Sequence, residues 1–469
     1  MTFNALPAPA ASVLILLATI VLVLLLDVSG KRKYVRQVTL TGFISAFAAL
    51  FFLPLTGTIL PMFKIDLFTF FFTALFLLIG LLVILASNES TAAYYASMIL
   101  SVLGMIFASS ANDVVLLFIS IELVTAPTYV LVAYHKTYHR MEAAVKYFIV
   151  GIVSSALLLF GLALLVAMSG TTSISDMLSI VTAINASSGS SLFLSPLFLL
   201  GIAAVIAGLG FKLSVFPFYF WVPDVYQGAP PEVAGFLAAA SKKAAYAVLL
   251  RLAVVFVLVL KSWVLLFAIL AALTMTIPNI IALTQYNVRR LLAYSILSHA
   301  GFLLMGVAIA TKIGYSATLF HSFTHAFMTL GAFLILAVFH AHRQETIDQF
   351  KGLGWKNPLL GTGLTIFLLS LAGIPLLSGF ASKVYLFYAT IDAGLLWLAI
   401  LAILNSALSL FYYFRIIKSL YSYDAQGAPY PLRRGMKIAI LLCLLVTIVI
   451  GIYPDLFIRA AVLAAGALG

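Results

Sequence analysis

The stretch GLGFKLSVFPFYFWVP, Gly208 to Pro223, places a lysine and a proline inside a run of residues that otherwise predicts a membrane-buried helix. A charged side chain at bilayer depth is costly, so such residues usually serve a function. Proline interrupts a helix because it removes a backbone hydrogen bond and clashes with the preceding turn. Lys212 and Pro217 together therefore predict a broken helix that carries an ionisable group within the membrane.

The composition of the whole chain agrees with a membrane location. Its 469 residues are 64% hydrophobic and only 9% charged, which is far from the composition of a soluble domain. The net charge of +12 does not indicate a nucleic-acid partner, because the basic residues lie between long apolar runs and form no dense patch. The single cysteine, Cys443, excludes an internal disulfide, a cysteine-ligated iron–sulfur cluster and a CxxCH haem attachment in this chain. Any redox chemistry is therefore expected in partner subunits.

Apolar runs of about 18 residues or more predict an all-α integral membrane protein with about fourteen transmembrane helices. These runs begin near residues 8, 36, 66, 92, 113, 141, 194, 231, 262, 291, 313, 358, 393 and 437. The first run has no basic region before it and is long enough to span, so we expect a helix there and no cleaved signal. With the N-terminus outside, the inner loops hold sixteen of the 26 basic residues, which agrees with the positive-inside rule. Both termini are thus predicted outside; twelve or thirteen helices would place basic loops on both sides.

The helices are predicted to form two blocks of five that enter the membrane from opposite sides, each with a broken helix. Because five is odd, this arrangement makes an inverted repeat. Each block contains a proline near a lysine, Lys212 with Pro217 in the first and Pro375 with Lys383 in the second. Unwound backbone at membrane depth is tolerated where it is packed in protein or lines a wet cavity, so two matching breaks indicate an ion or substrate path; ordinary proline kinks are the alternative. The predicted division is an N-terminal three-helix segment (1–91), the first repeat (92–258), the inverted second repeat (259–419), and a C-terminal loop and helix (420–469).

Several ionisable residues fall near the middle of predicted spans. Glu122 lies about ten residues into its span, roughly 15 Å deep at 1.5 Å per residue, and a buried ion pair with Lys212 is the structural alternative to a functional role. Lys242 is similarly deep, and Lys243 is rotated from it by about 100°, so we expect one of the two to face a polar axis. The sequence shows no further mid-membrane carboxylate that could neutralise Lys242 or Lys383. Burial disfavours a charged amine, so these lysines are candidates to load and release protons.

Three histidines extend this set of candidates. His299 lies near mid-span, and His321 and His325 are four residues apart and share one helix face. Histidine titrates near neutrality, which suits proton relay; packing histidines are the alternative, and a b-type haem is disfavoured because its axial histidines face each other across helices. Lys146 pairs with Glu142 at i,i+4 close to the predicted cytoplasmic edge, where snorkelling to the interface competes with a relay role.

Four segments of the chain resemble the antiporter-like membrane subunits of the respiratory complex I family. These segments are SIELVTAPTYVLVAY, GFKLSVFPFYFWVPDVYQGAPPEVAGFLAAASKKAA, NVRRLLAYSILSHAGF and LAGIPLLSGFASK. The resemblance covers about residues 90–430 and is strongest to the subunit N branch, the counterpart of mitochondrial subunit 2, which includes relatives from archaeal F(420)H(2) dehydrogenases. It implies a proton-translocating subunit of an NADH- or F(420)H(2)-oxidising enzyme that reduces quinone or phenazine, in the plasma membrane of a prokaryote.

The resemblance also implies partners and cofactors. Other membrane subunits are expected on both flanks, within the lipid bilayer, and the flavin, iron–sulfur clusters and quinone or phenazine are expected in the partners. No cofactor or metal is expected in this chain.

The roles of single residues follow from the same resemblance. Glu122 and Lys212 match the family's coupled glutamate–lysine pair, Lys242 its central lysine, and Lys383 the lysine of the second broken helix. Larger members often continue the HxxxHA segment into a lysine, where this chain has Thr329.

Without a lysine at position 329, proton relay across the helix that carries His321 and His325 would depend on those two histidines and water. Two other functional classes stay open: a subunit of an Mrp-type cation/proton antiporter or membrane-bound hydrogenase, and a secondary solute transporter with inverted repeats.

Overall fold

The computed structural model describes residues 6–57, 59–186, 196–259, 262–422 and 428–468. In these ranges the chain is helical, with isolated β-bridges between loops. The first helices are α1 (Ala8–Val28), α2 (Val35–Phe52), α3 (Leu67–Ala86), α4 (Ala92–Ser110), α5 (Val114–Ala133), α6 (Tyr138–Ser169) and the shorter α7 (Ile174–Ala186).

The helices that follow include two interrupted segments. A π-helical turn, Leu237–Ser241, joins α10 to α11. The bounds are α8 (Pro196–Leu213), α9 (Val222–Gly228), α10 (Pro231–Phe236), α11 (Lys242–Val259), α12 (Trp263–Ala282), α13 (Val288–Ala308), α14 (Lys312–Ala341), α15 (Leu353–Lys356), α16 (Pro358–Ala372), α17 (Ser378–Asp392), α18 (Leu396–Leu420), α19 (Arg434–Ile452) and α20 (Asp455–Ala465).

The number of membrane spans agrees with the sequence. Twelve helices of the described ranges are long and apolar enough to cross a bilayer. Two further segments, 231–259 with its π turn and 358–392 with its break, are also long enough to cross a bilayer and bring the count within these ranges to fourteen. The prediction of an all-helical, multi-pass membrane protein is confirmed. The division into inverted repeats stays a prediction.

Both predicted helix breaks occur at their prolines. Pro217 lies between α8 and α9, three residues after Ser214, whose φ is 59°. Pro375 lies between α16 and α17, after Gly373 with φ 93°. The left-handed conformation suits glycine, and a Cβ at Gly373 would lie 3.1 Å from the Lys383 Cδ atom. The second break therefore brings its backbone directly against a candidate lysine.

The spans end at two faces of the protein. One face, called the basic face here, contains loops 29–34, 134–137, 283–287 and 342–357, where basic residues are concentrated. The other, called the N-terminal face, contains the start of α1, loop 53–66 and the start of α14. Backbone hydrogen bonds tie the loops on each face together, such as Ile347 N to Tyr286 O on the basic face and Lys64 N to Ser110 O on the N-terminal face.

Glycines allow the helices that carry the candidate residues to approach closely. A Cβ at Gly208 of α8 would lie 2.7 Å from the Leu158 N of α6, and one at Gly301 of α13 would lie 2.5 Å from the Met275 N of α12. Small residues at such contacts are typical of membrane helix packing. Gly208 precedes Lys212 by about one turn, so this contact places Lys212 beside α6.

Candidate functional site

Helices α5, α6 and α8 bring Glu122, Ser155 and Lys212 together. The Lys212 Nζ atom lies 3.6 Å from the Glu122 Oε1 atom. The Ser155 hydroxyl donates to the same carboxylate at 2.5 Å, and Lys212 Nζ donates to Ser155 Oγ and Thr125 Oγ1, both at 3.3 Å. The Lys212 side chain is 4% exposed and that of Glu122 is 34% exposed. The ammonium group is thus enclosed, whereas its carboxylate partner reaches the surface of the helix bundle.

Lys242 faces Lys212 across a small internal cavity. This cavity measures about 20 Å³ and is lined by both lysines together with Thr125, Trp221 and Tyr226, which is room for about one water molecule. Within the described part of the chain, Lys242 Nζ, Trp221 Nε1 and Tyr226 OH have no hydrogen-bond partner. Lys242 Nζ lies 5.2 Å from the centre of the Tyr226 ring. Since buried polar groups usually bind water when no protein partner is present, this cavity suits a water bridge between the lysines.

Lys243 points in a different direction from Lys242 and contacts His325 of the histidine cluster. Its Nζ atom donates to the Ala238 carbonyl at 2.9 Å and lies 2.8 Å from His325 Nδ1. Both lysines directly follow the π turn, and successive side chains on a helix diverge by about 100°. The sequence leaves open which of the two lysines faces the polar axis, and the family resemblance implies Lys242; the structure places Lys242 at the cavity and Lys243 at the histidine cluster.

The three candidate histidines form one buried cluster. His299 Nδ1 lies 3.2 Å from His321 Nε2, and the ring centres of His299 and His325 are 4.5 Å apart. His321 Nδ1 is 3.0 Å from Ser382 Oγ on α17, and Thr329 Oγ1 is 3.3 Å from His325. The cluster therefore joins α11, through Lys243, to the second broken helix.

Lys383 is held by oxygen atoms at the second helix break. Its Nζ atom donates to the carbonyls of Leu371 and Ala372, at 2.7 and 3.1 Å, and to Ser406 Oγ at 2.9 Å. Both carbonyls belong to the last turn of α16, where a helix carries partial negative charge. The lysine also lines a cavity of about 230 Å³ that includes Ser406 and Phe380. A positive amine is thus stabilised here by carbonyl and hydroxyl oxygens.

Lys146 lies apart from this buried line. Its side chain is 47% exposed and forms ion pairs with Glu142 at 2.9 Å and Asp224 at 3.1 Å. Arg290 also contacts Asp224, at 2.5 Å. Lys146, Glu142 and Asp224 line a cleft of about 860 Å³ at the basic face. Lys146 therefore occupies the mouth of the cleft, in keeping with the interfacial alternative.

The carboxylate of Glu345 joins two basic groups on the wall of this cleft. His340 Nδ1 lies 2.8 Å and Arg289 Nη2 3.2 Å from its Oε1 atom. The hydrogen bond from His340, with the charge of Arg289, outweighs burial and holds the pKa of Glu345 at about 2.

A pH-dependent loss of stability is expected from this cluster. Because the folded-state pKa lies below the usual 4.5, the ionised carboxylate stabilises the fold above about pH 4.5, and this contribution disappears as the pH falls towards about 2. The Glu345→Gln variant should melt at a lower temperature than the parent at neutral pH, with the difference shrinking over that range. Thermal unfolding of the detergent-solubilised chain across a pH series measures this. Glu142→Gln, at an exposed pair, is the control, and a deficit for Glu345→Gln that is constant with pH would contradict the expectation.

This arrangement lies within a segment that the chain shares with a known protein family. The family described as "NADH:quinone oxidoreductase/Mrp antiporter, TM" matches residues 111–409, a segment that contains every buried candidate from Glu122 to Lys383. The chain belongs to this family. NADH-quinone oxidoreductase subunit N of Heliobacterium modesticaldum is 38% identical over 425 residues, covering 88% of each chain. F(420)H(2) dehydrogenase subunit N of Methanosarcina mazei is 37% identical over 426 residues, covering 86% of this chain and 84% of the relative.

A solved structure supports the same assignment. A chain of respiratory complex I from Thermus thermophilus superposes with a TM-score of 0.83 at 28% identity, covering 96% of this chain and 98% of that chain. The resemblance indicated by the sequence motifs is thus confirmed at the level of the family.

Sequence reasoning missed Ser155 and left open whether Lys242 or Lys243 faces the polar axis. Ser155 bridges Lys212 and Glu122, and Lys243 contacts His325. The signals available were the Ser154–Ser155 pair within an apolar span and the doubled lysine of ASKKAA. Neither sequence feature indicates which face of its helix packs against which neighbouring helix.

Proposed function

We propose that this chain is a proton-translocating, antiporter-like membrane subunit of a complex I-type oxidoreductase that oxidises NADH or F(420)H(2) and reduces quinone or phenazine. The observation that carries the proposal is the line of buried ionisable side chains between the two broken helices. It runs from the Glu122–Lys212 pair through Lys242 and Lys243 to the histidines and Lys383. The two subunit N relatives named above support the choice of enzyme class.

The lysines along this line differ in what stabilises their charged form. Lys212 has a carboxylate, Lys242 has an aromatic ring and space for water, Lys243 has a carbonyl and His325, and Lys383 has three oxygen acceptors. A proton leaves Lys212 when Glu122 withdraws, because the charged amine then loses its counter-ion in a medium of low dielectric. Glu122 therefore controls proton release from Lys212. Lys383, held by its three oxygen acceptors, receives the proton at the far end of the line.

The energies involved are of matching size. Moving one charge against a potential of 150 mV costs about 3.5 kcal/mol. Breaking a buried ion pair by removing one partner costs about 3–5 kcal/mol. Movement of the Glu122 carboxylate is thus sufficient in magnitude to drive one proton forward, with energy supplied by redox chemistry in partner subunits that carry the flavin and iron–sulfur clusters.

Neighbouring membrane subunits would cover both flanks of the chain. The partial exposure of Glu122 and the cavity beside Lys383 give each end of the line access to a flank. Following the positive-inside rule, the basic face lies in the cytoplasm and both termini lie outside the plasma membrane of a prokaryote.

An Mrp-type cation/proton antiporter subunit is the second candidate, since the matching family description names both systems. Sodium-dependent transport by the assembled complex would favour it. A solute transporter is disfavoured because the cavity between Lys212 and Lys242, about 20 Å³, has room for about one water molecule and is too small for a larger substrate.

Replacement of Lys383 tests the proposed function. In the complex reconstituted into vesicles, Lys383→Ala should lower the number of protons translocated per electron, because the second helix break then has no amine to carry the proton. Lys146→Ala, at the exposed cleft, should leave this ratio unchanged. The ratio is measured from acidification or alkalinisation of the vesicle lumen alongside donor oxidation, and an unaltered ratio in Lys383→Ala would remove that lysine from the path.

A further inference from the structure

The cleft at the basic face carries more positive charge than its own carboxylates neutralise. Four lysine or arginine side chains and three carboxylates line it. The carboxylates, Glu142, Asp224 and Glu345, are each paired with a basic side chain. Arg140 and Arg343 of the lining form no ion pair with any residue that the structure describes. Two guanidinium groups in this cleft are therefore available to an anionic ligand.

A buried nitrogen of the cleft lining also lacks a partner. Arg289 is 6% exposed; its Nη2 atom pairs with Glu345 and its Nη1 atom donates to the Ala229 carbonyl, both at 3.2 Å. Its Nε atom has no hydrogen-bond partner among the described residues. A buried N–H group in this state requires an acceptor from outside the chain. Because Arg289 also lines the cleft, an oxygen-rich anion bound there would supply such an acceptor.

The wall of the cleft formed by α6 continues into an apolar surface. Glu142 and Lys146 of this wall are followed on the same helix face by Ile149 and Val153, which are 57% and 56% exposed. The 32 residues of α6 extend about 48 Å, whereas the hydrocarbon core of a bilayer is about 30 Å thick. Part of α6 therefore lies at the level of the lipid headgroups. The change from charged to apolar residues on this face places the cleft at that level, next to side chains that suit acyl chains.

We propose that this cleft binds the phosphate group of an anionic phospholipid, whose acyl chains run along α6 over Ile149 and Val153. Arg140 and Arg343 supply paired N–H donors whose planar geometry matches phosphate oxygens, and Arg289 Nε gains its acceptor. A zwitterionic lipid brings an ammonium group that the positive cleft repels. Free phosphate has the same oxygens but leaves the apolar face of α6 uncovered, so a lipid is favoured. The site lies apart from the buried line of lysines and histidines and is independent of the proposed function.

Lipid titration of the detergent-solubilised full chain tests this site. Native mass spectrometry gives the Kd of the first lipid bound as dioleoyl phosphatidylglycerol, or dioleoyl phosphatidylcholine, is added. We expect phosphatidylglycerol to bind the parent at least about tenfold more tightly than the double variant Arg140→Gln/Arg343→Gln, because two charge-assisted contacts are lost. The matched control is Arg433→Gln/Arg434→Gln, which removes two exposed arginines where α19 begins and should bind the lipid as the parent does. Equal affinity of the parent and the cleft variant, or equal affinity for the two lipids, would overturn the proposal.

Two further measurements separate lipid binding from folding and from binding of free phosphate. Arg343 is exposed, so Arg343→Gln alone should melt at the parent temperature in lipid-free detergent and still bind phosphatidylglycerol more weakly. Inorganic phosphate should displace the lipid only weakly, because it has no chains to pack on Ile149 and Val153. Displacement by inorganic phosphate at concentrations similar to those of the lipid would show a site for a soluble anion and overturn the lipid assignment. Parent-like lipid affinity in a folded Arg343→Gln variant would remove this arginine from the site and contradict the proposal.

Discussion

The Lys212→Ala variant is expected to stop proton translocation through this chain and to slow coupled electron transfer in the assembled complex, because the buried line loses a positioned proton-transfer group. Lys212 Nζ lies 3.6 Å from Glu122, and Lys242 is separated from this pair by the internal cavity. With Lys212 removed, Ser155 still contacts the carboxylate, but a serine hydroxyl carries no exchangeable positive charge. Proton uptake and donor oxidation by the reconstituted complex are the two measurements.

Two further variants make this result specific. Lys212→Arg keeps the charge but holds its proton permanently, so it should preserve assembly while still blocking translocation. Lys146→Ala removes a lysine whose side chain is 47% exposed and should behave as the parent. Full proton translocation by Lys212→Ala in a correctly assembled complex would show that the buried line is not the path.

The Arg251→Met variant is expected to destabilise the chain by about 3–5 kcal/mol, because it leaves a carboxylate without its buried partner. The guanidinium of Arg251 contacts Asp66 through two hydrogen bonds, Nη1 to Oδ2 at 2.7 Å and Nη2 to Oδ1 at 2.8 Å. It also donates to the Ser109 carbonyl at 3.0 Å, and the side chains of the pair are only 4% and 14% exposed. The pair joins α11, which carries Lys242 and Lys243, to the loop before α3. We expect a lower melting temperature and less assembled complex.

Matched variants distinguish the loss of the pair from the loss of side-chain packing. Asp66 also caps α3 by accepting from the Thr69 N–H at 2.9 Å, so Asp66→Asn in the Arg251→Met background removes the unpaired charge and keeps a capping oxygen. The double variant should recover part of the lost stability. Arg459→Met breaks an ion pair whose side chains are 75% and 50% exposed and should change stability by less than about 0.5 kcal/mol. A similar melting temperature for Arg251→Met and Arg459→Met would contradict the expectation.

Much of the fold was accessible from the sequence because it depends on local properties. The length of an apolar run decides whether it spans a bilayer, and proline interrupts a helix wherever it lies in the interior. The breaks at Pro217 and Pro375 and the placement of Lys212 and Lys383 beside them are therefore visible in the chain itself. The pairing of Glu122 with Lys212 was accessible for a related reason, since a membrane offers few partners for a buried charge.

The helical rotation of each side chain and its partner across the bundle were decided by the tertiary structure alone. The π turn sets which of Lys242 and Lys243 faces the cavity and which faces His325, and no periodic pattern in ASKKAA contains that rotation. Ser155 bridges Lys212 and Glu122 because α6 packs against α5 and α8, and nothing in its own apolar segment indicates those neighbours. The sequence by itself determined that charges are buried in this membrane protein and at what depth, because depth follows from position along a span. Which groups exchange protons depends on contacts a few ångströms long between separate helices, and only the packed bundle decides those.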